Sequence, residues 1–351
     1  MIERFDSLSR LTVGLAAVGL ASCLTSNPAY AGGKYQLGSG YDVGPFNFSG
    51  YMNFVVALPD QGPKSATLED LSLFAAGHIS KLINPFVEAE LTHLVVADTD
   101  HSGENNTGAE LVLERYYNDS YLSDSVILRL GKMLAPVGEW NLNHAAPLVL
   151  ATSRPAVTFR NFAAYIQGVS LLYSDPEGGA PDMQVYWQPD WEETEKPRGV
   201  VFEQHKMAEG IHVSVPILQF DKVGFSFQRV VDFHGVTQSL VGGDFRYTLQ
   251  NVTLQGEATY SSLSGGDMTR LRDDESGGYL SATYAFNPRW SAYSWYEAFM
   301  DRTQTSAAQD ALVGVAYHPV DVMVVKLEYL QNFGGTPVNP TGLFASWSVL
   351  F

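Results

Sequence analysis

Residues 252–260, VTLQGEATY, alternate apolar or small side chains with polar ones throughout. Val252, Leu254 and Tyr260 fall on one face of this pattern, and Glu257 falls on the other. Successive side chains of a β-strand point to opposite faces, so the stretch predicts a strand with one apolar and one polar face. Such strands are typical of barrels that turn their apolar face to lipid and their polar face to water.

The same alternation returns in about sixteen segments of roughly ten residues, the length that a tilted membrane strand needs. They are 46–58, 68–82, 86–97, 109–118, 125–132, 166–174, 183–188, 210–218, 223–232, 237–249, 252–262, 278–286, 290–300, 310–317, 322–330 and 341–351. Short and longer connections alternate along the chain, as periplasmic turns and external loops do in bacterial barrels. The exception is 233–236, which is a short connection in the place of an external loop. We therefore predict an all-β fold, a transmembrane antiparallel β-barrel with both termini in the periplasm.

Composition excludes several other classes. The 351 residues hold 21 basic and 38 acidic side chains, a net charge of −17 and one cysteine. Beyond the N-terminus no apolar run reaches the roughly 18 residues of a membrane helix, and helical periodicity is almost missing. The acidity argues against nucleic acid as a partner. Zinc, nucleophile-elbow and dinucleotide motifs are lacking, so we expect no metal, no cofactor and no catalytic residues. A soluble β-sandwich remains the alternative fold.

Residues 1–31 have the pattern of an export signal. Arg4 and Arg10 precede an apolar core at 11–20, and Ala29-Tyr30-Ala31 fits a cleavage site, which leaves 32–351 as the barrel. A competing cut precedes Cys23, where Leu20-Ala21-Ser22-Cys23 resembles a lipoprotein signal. Export together with membrane strands predicts the bacterial outer membrane, with its lipid and lipopolysaccharide as partners.

The last strand supplies separate evidence. Leu343, Ala345, Trp347, Val349 and Phe351 occupy alternate positions up to a terminal phenylalanine. This ending resembles the signal that the barrel assembly machinery recognises, so we predict that machinery as a partner and Phe351 as part of the signal.

Residues 131–165 form the one long interval without alternation. Their place in the order of connections makes them the third external loop, and we predict that this loop folds into the lumen. Its charged side chains are the candidate constriction: Lys132, Glu139, His144, Arg154 and Arg160.

Within this interval, residues 131–139, GKMLAPVGE, resemble the G-[KQ]-x-x-x-P-[FV]-G-[ILE] stretch of the phosphate-selective porin O/P-like superfamily. Residues 143–155, NHAAPLVLATSRP, resemble the same loop in uncharacterised members. The resemblance implies a sixteen-stranded, commonly trimeric barrel that carries small polar solutes by diffusion. The arginine ladder and lysine cluster of the phosphate-selective members have no counterpart here, so phosphate selectivity does not carry over.

The polar faces of the predicted strands would line the lumen. Their charged residues are Glu88, Glu90, Glu114, Asp244, Glu257 and Glu328 against Arg129, Arg246 and Lys326. An excess of carboxylates predicts weak cation preference or tolerance of neutral solutes. Alternatively, Asp244 with Arg246 and Lys326 with Glu328 neutralise each other.

A second hypothesis places Arg154 and Arg160 across a constriction from the wall acids, where they would create a transverse field. The sequence thus favours a porin for small hydrophilic solutes or ions. The alternative from another class is a non-conducting barrel that adheres or scaffolds, which a single-channel measurement separates from a porin.

Overall fold

Eighteen β-strands form one antiparallel sheet in this computed structural model, which describes residues 35–99, 109–176, 178–190, 205–217, 221–266 and 270–351. The two short strands β1 (Tyr35–Gln36) and β2 (Gly40–Val43) form a hairpin that pairs with the first long strand. The predicted export signal, with both of its cleavage sites, lies outside the described residues.

The sixteen long strands follow one another around a closed barrel. They are β3 (Phe46–Pro59), β4 (Ser65–Gly77), β5 (Pro85–Asp98), β6 (Glu110–Tyr121), β7 (Val126–Leu134), β8 (Tyr165–Tyr173), β9 (Asp182–Gln188), β10 (His205–Pro216), β11 (Lys222–Asp232), β12 (Val236–Leu249), β13 (Val252–Gly265), β14 (Asp274–Asn287), β15 (Trp290–Met300), β16 (Ala308–Val320), β17 (Met323–Gly334) and β18 (Gly342–Leu350). Each pairs antiparallel with the next, and β18 closes the ring on β3 with Trp347 opposite Phe54. The predicted sixteen-stranded antiparallel barrel is confirmed.

Several strand boundaries differ from the sequence prediction; β10 and β14, for example, begin four or five residues earlier than predicted. Two other differences have identifiable reasons. The second predicted strand extends to residue 82, but β4 ends at Gly77 because the Ser80 hydroxyl accepts the backbone N–H groups of Leu82 and Ile83 and closes a turn. The predicted turn at 318–321 is shorter, since β16 continues to Val320 through a shift in register after Tyr317. Pro319 lies within this irregularity, where its missing N–H breaks no regular ladder bond.

The two faces of the barrel strands differ in polarity as the alternation predicts. Large apolar side chains are exposed on one face: Leu111 is 78% exposed, and Leu254 and Tyr260 are also exposed. Glu114 and Glu257, on the opposite face of the same strands, are buried. Covering a large apolar side chain with an apolar medium is worth about 1.5–3 kcal/mol, so the exposed face suits lipid far better than water.

The buried apolar core does not fill the barrel evenly. It consists of two clusters, one around Trp140, Val157 and Phe299 and one around Val137, Phe162 and Leu240, and both join residues of 135–164 to the barrel strands. Within the described ranges, no helix has the length and apolarity needed to cross a membrane. The helical structure of the 135–164 stretch is the single 3-10 turn Ala156–Thr158.

Candidate channel constriction

The stretch between β7 and β8, residues 135–164, is called the central segment below. It contains no β-strand, so its backbone N–H and C=O groups must find partners outside a ladder. Most of its residues are nevertheless buried. The structure shows that side chains of the barrel strands supply the missing partners.

Three carboxylates on the buried face of the strands each accept two consecutive backbone N–H groups of the central segment. Glu257 accepts from Glu139 at 3.1 Å and Trp140 at 2.8 Å. Glu297 and Glu328 accept the pairs Ala156 with Val157 and Thr152 with Ser153, all at 2.7–2.9 Å. Hydrogen bonds to a charged acceptor are roughly twice as strong as neutral ones, so the three pairs fix the segment at three points.

Two further wall residues complete the attachment. The ammonium of Lys326 donates to the backbone carbonyls of Ala146 at 2.8 Å and Val149 at 2.7 Å. The amide of Gln228 accepts the N–H of Ala163 at 2.8 Å and donates to its carbonyl at 3.1 Å. Glu257, Lys326 and Glu328, predicted as lumen-wall charges, thus all hold the central segment, and Glu297 and Gln228 are additional anchors that the sequence analysis missed.

A cavity of about 370 Å³ lies between the central segment and strands β3–β6, and Lys326, Phe344 and Ser346 of β17 and β18 also line it. Glu69, Asp70, Glu90 and Glu114 line it from the strands, and His144 and Arg154 line it from the segment. Carboxylates and basic groups therefore face each other across the same space. The electric field between them is focused by the low-dielectric protein walls, because little water screens it.

Arg154 is held in place by the central segment itself. Its guanidinium donates to the hydroxyl of Thr158 at 2.9 Å and to the backbone carbonyl of Thr158 at 2.6 Å, and no described carboxylate forms an ion pair with it. Burial lowers the pKa of Arg154 to about 10, so the side chain stays charged at neutral pH. An arginine fixed by neutral acceptors keeps its positive charge available to the cavity.

Three carboxylates meet at one edge of the cavity: Glu88, Glu90 and Glu114. Glu90 accepts hydrogen bonds from the hydroxyls of Ser72 at 2.6 Å and Tyr51 at 3.2 Å. These acids share one edge because β5 and β6 are irregular where Glu88 pairs with Arg115 and Ala89 with Leu113, and this shift leaves Glu114 unopposed.

The acids of this edge have basic and phenolic neighbours as well. Arg115 donates to Glu88, the ring of His144 contacts Glu114 at 3.1 Å, and the Tyr165 hydroxyl donates to Glu114. The sequence predicted the three carboxylates and His144 as separate elements of wall and loop. The register shift brings the carboxylates together, and the packing of the central segment against β6 adds His144 to them.

The other predicted site residues lie apart from this cavity. Arg160 pairs with Asp301 at 3.5 Å, and Glu139 lies 3.4 Å from Lys222 and 3.8 Å from Arg246. The ammonium of Lys132 lies over the Tyr165 ring, and Arg129 forms an ion pair with Asp119. Buried Asp244 lies 4.0 Å from His212, and the backbone of Phe351 is hydrogen-bonded to that of Gly50. Only Arg154 of the two predicted loop arginines therefore faces the acids of β4–β6.

Asp70 and Glu69 are cavity acids that the sequence analysis did not select. Neither residue was among the charged wall positions selected from the alternation pattern. A shift in register between β3 and β4 follows Asn53, which is opposite Asp70, and the next pair is Phe54 with Leu68. Strict alternation cannot predict the side that consecutive acids take at such a point.

No family model matches this chain, and no curated protein does. Solved structures are similar. A loop-deleted OmpT of Vibrio cholerae matches with a TM-score of 0.63 and 12% identity, over 88% of this chain and 100% of that one. OmpF of Salmonella typhi matches with a TM-score of 0.61 and 12% identity, over 91% of this chain and 99% of that one. An anion-selective porin of Comamonas acidovorans matches with a TM-score of 0.57 and 12% identity, over 87% of this chain and 98% of that one. At this identity the likeness shows the fold, which is the closed barrel of outer-membrane porins and agrees with the predicted place in the outer membrane.

Proposed function

We propose that this chain is an outer-membrane channel through which small hydrophilic solutes or ions diffuse passively. The observation that carries the proposal is the cavity between the central segment and β3–β6, which is lined by carboxylates on one side and by Arg154 on the other. A non-conducting scaffold has no need of fixed opposing charges around an open space. The proposed function is not enzymatic.

We infer that the central segment lies inside the barrel and narrows its lumen. Its anchors Gln228, Glu257, Glu297 and Glu328 come from β11, β13, β15 and β17, and all lie on the face opposite the exposed apolar side chains. One segment can reach that face on so many strands of a closed barrel only from within. The narrowest passage would then be the space beside β3–β6.

We propose weak cation selectivity for this passage. Glu69, Asp70, Glu90 and Glu114 outnumber Arg154 and Lys326 around the cavity, and Lys326 is bonded to backbone carbonyls. Rings of one charge sign attract the opposite ion. The transverse field is proposed for Arg154 alone, since Arg160 pairs with Asp301.

Planar-bilayer recording of the purified chain tests the channel. We expect discrete conductance steps and, in a KCl gradient, a reversal potential of the sign that marks cation preference. A chain that inserts but passes no current would refute the proposal and favour the adhesive or scaffolding barrel. A reversal potential of the opposite sign would refute the selectivity and leave the channel intact.

Two finer proposals concern kinship and assembly. Membership of the porin O/P-like superfamily rests on the resemblance of residues 131–155, and association as a homotrimer is supported by a Vibrio cholerae OmpT structure described as a trimer form. Light scattering of the detergent-solubilised chain measures its mass directly. Recognition of Phe351 by the assembly machinery and contact with lipopolysaccharide remain predictions.

A further inference from the structure

The carboxylates of Glu88, Glu90 and Glu114 are crowded together. Each offers one oxygen to a group whose members all lie within 4.8 Å of one another. Glu88 is fully buried and Glu114 is 9% exposed. Like charges at this separation disfavour ionisation, so three carboxylates beside the Arg115 guanidinium and the His144 ring still favour bound protons or a bound cation.

Unpaired oxygen atoms provide the second, independent observation. Arg115 bonds to one oxygen of Glu88, and His144 bonds to one oxygen of Glu114. The opposite oxygens, Oε1 of Glu88 and Oε2 of Glu114, are buried and have no hydrogen-bond partner among the described residues. A buried acceptor without a partner costs about 1–3 kcal/mol, and more when it is charged, so these lone pairs favour a ligand.

Glu90 adds a carboxylate that no described basic group neutralises. Its hydrogen bonds come from the neutral hydroxyls of Ser72 and Tyr51. Glu90 and Glu114 also line the cavity of about 370 Å³, which gives an ion access and leaves room for water to complete its coordination. The cluster is therefore reachable, although Glu88 is buried beneath it.

We propose that Glu88, Glu90 and Glu114 bind one hard divalent cation, Ca²⁺ or Mg²⁺, at the edge of the cavity. Carboxylates and water are the ligands that these ions prefer, and the cluster holds no thiol for a softer metal. Arg115 and His144 are positioning residues that each hold one oxygen of a ligand carboxylate. A bound ion would cancel two negative charges at the edge of the proposed passage, where two of its four lining acids lie.

Calorimetric titration of the purified, refolded chain with CaCl₂ and with MgCl₂ tests the site at neutral pH. We expect one saturable site per chain, and in Glu90→Gln an affinity weaker by about tenfold or more, because that variant removes a ligand charge and leaves the Arg115 and His144 contacts in place. Asp124→Asn is the matched control, since Asp124 is an exposed turn carboxylate outside the cluster. It should bind as the unaltered chain does.

Absence of a saturable site for both ions would overturn the proposal and indicate that the carboxylates share protons instead. Equal affinity in Glu90→Gln and the unaltered chain would overturn it as well. If Glu90→Gln does not fold, sensitised luminescence of Tb³⁺ in the unaltered chain decides, because Tyr165 contacts Glu114 and can excite a lanthanide bound there. Signal that excess Ca²⁺ does not displace would refute the site. Binding without conductance would leave the site standing and reject the channel.

Discussion

Replacing Glu297 with glutamine is expected to loosen the central segment at one defined point. Glu297 is 1% exposed and accepts the N–H groups of Ala156 at 2.8 Å and Val157 at 2.7 Å. Glutamine keeps one acceptor oxygen but presents an NH₂ group to the other N–H. One charge-assisted hydrogen bond is lost and a buried N–H is left unpaired, which together cost about 2–3 kcal/mol.

Hydrogen–deuterium exchange measures this loss. Peptides that cover Ala156 and Val157 should exchange about 30- to 150-fold faster in Glu297→Gln, since 1.4 kcal/mol corresponds to a factor of ten. Single-channel current should also become noisier as the segment moves. Glu209→Gln is the control, because Glu209 lies on β10, is 41% exposed and pairs with Arg229 rather than with the segment. Unchanged exchange at Ala156 and Val157 would refute the anchoring role of the wall carboxylates.

Three further predictions concern the field, the lipid face and the entry to the central segment. Arg154→Ala should raise the cation preference measured from the reversal potential in a salt gradient, because Arg154 lines the cavity. Arg160→Ala should leave it unchanged, because Arg160 pairs with Asp301 away from the cavity. Equal shifts in the two variants would contradict the role given to Arg154. Val241→Arg, at the middle of β12, should destabilise the barrel in bilayers by about 2–4 kcal/mol in denaturant titrations, and an unchanged midpoint would place Val241 away from lipid. Gly131→Ala should lower the free energy of unfolding by about 1–3 kcal/mol, because the φ of Gly131 is 136° and an added Cβ would lie 2.2 Å from a backbone carbonyl oxygen. Gly243→Ala is the control and should lower it little. Equal losses in the two variants would show that Gly131 is not strained.

Strand number and the two faces could be predicted from local alternation. The exposed apolar residues Leu111, Leu113 and Leu254 lie where the pattern places them, because a period of two is a property of each strand alone. The buried face of β15 departs from the pattern. Its buried side chains are Tyr293 and Trp295 as well as Glu297, since the central segment covers them instead of water.

The roles of the charged wall residues could not be predicted in this way. Glu257, Glu328 and Glu90 look alike in sequence, each a carboxylate on the polar face of an alternating strand. Two of them accept backbone N–H groups of the central segment, and the third lines the cavity. The difference depends on where a segment without periodic structure packs, and the segment's own sequence carries no local signal of that place.

The sequence by itself determined a membrane-type barrel, its strand count and the interval 131–165 that lacks the alternation of the strands. These features depend on alternation and turn residues, which act between near neighbours in the chain. The tertiary structure decided which strands contact the central segment, which acids hold it in place and which acids gather around Glu90. The anchoring contacts join residues that are far apart in the sequence, such as Glu328 with Ser153. They follow from matching unsatisfied backbone groups to side chains across a closed ring, and that match exists only once the ring has formed.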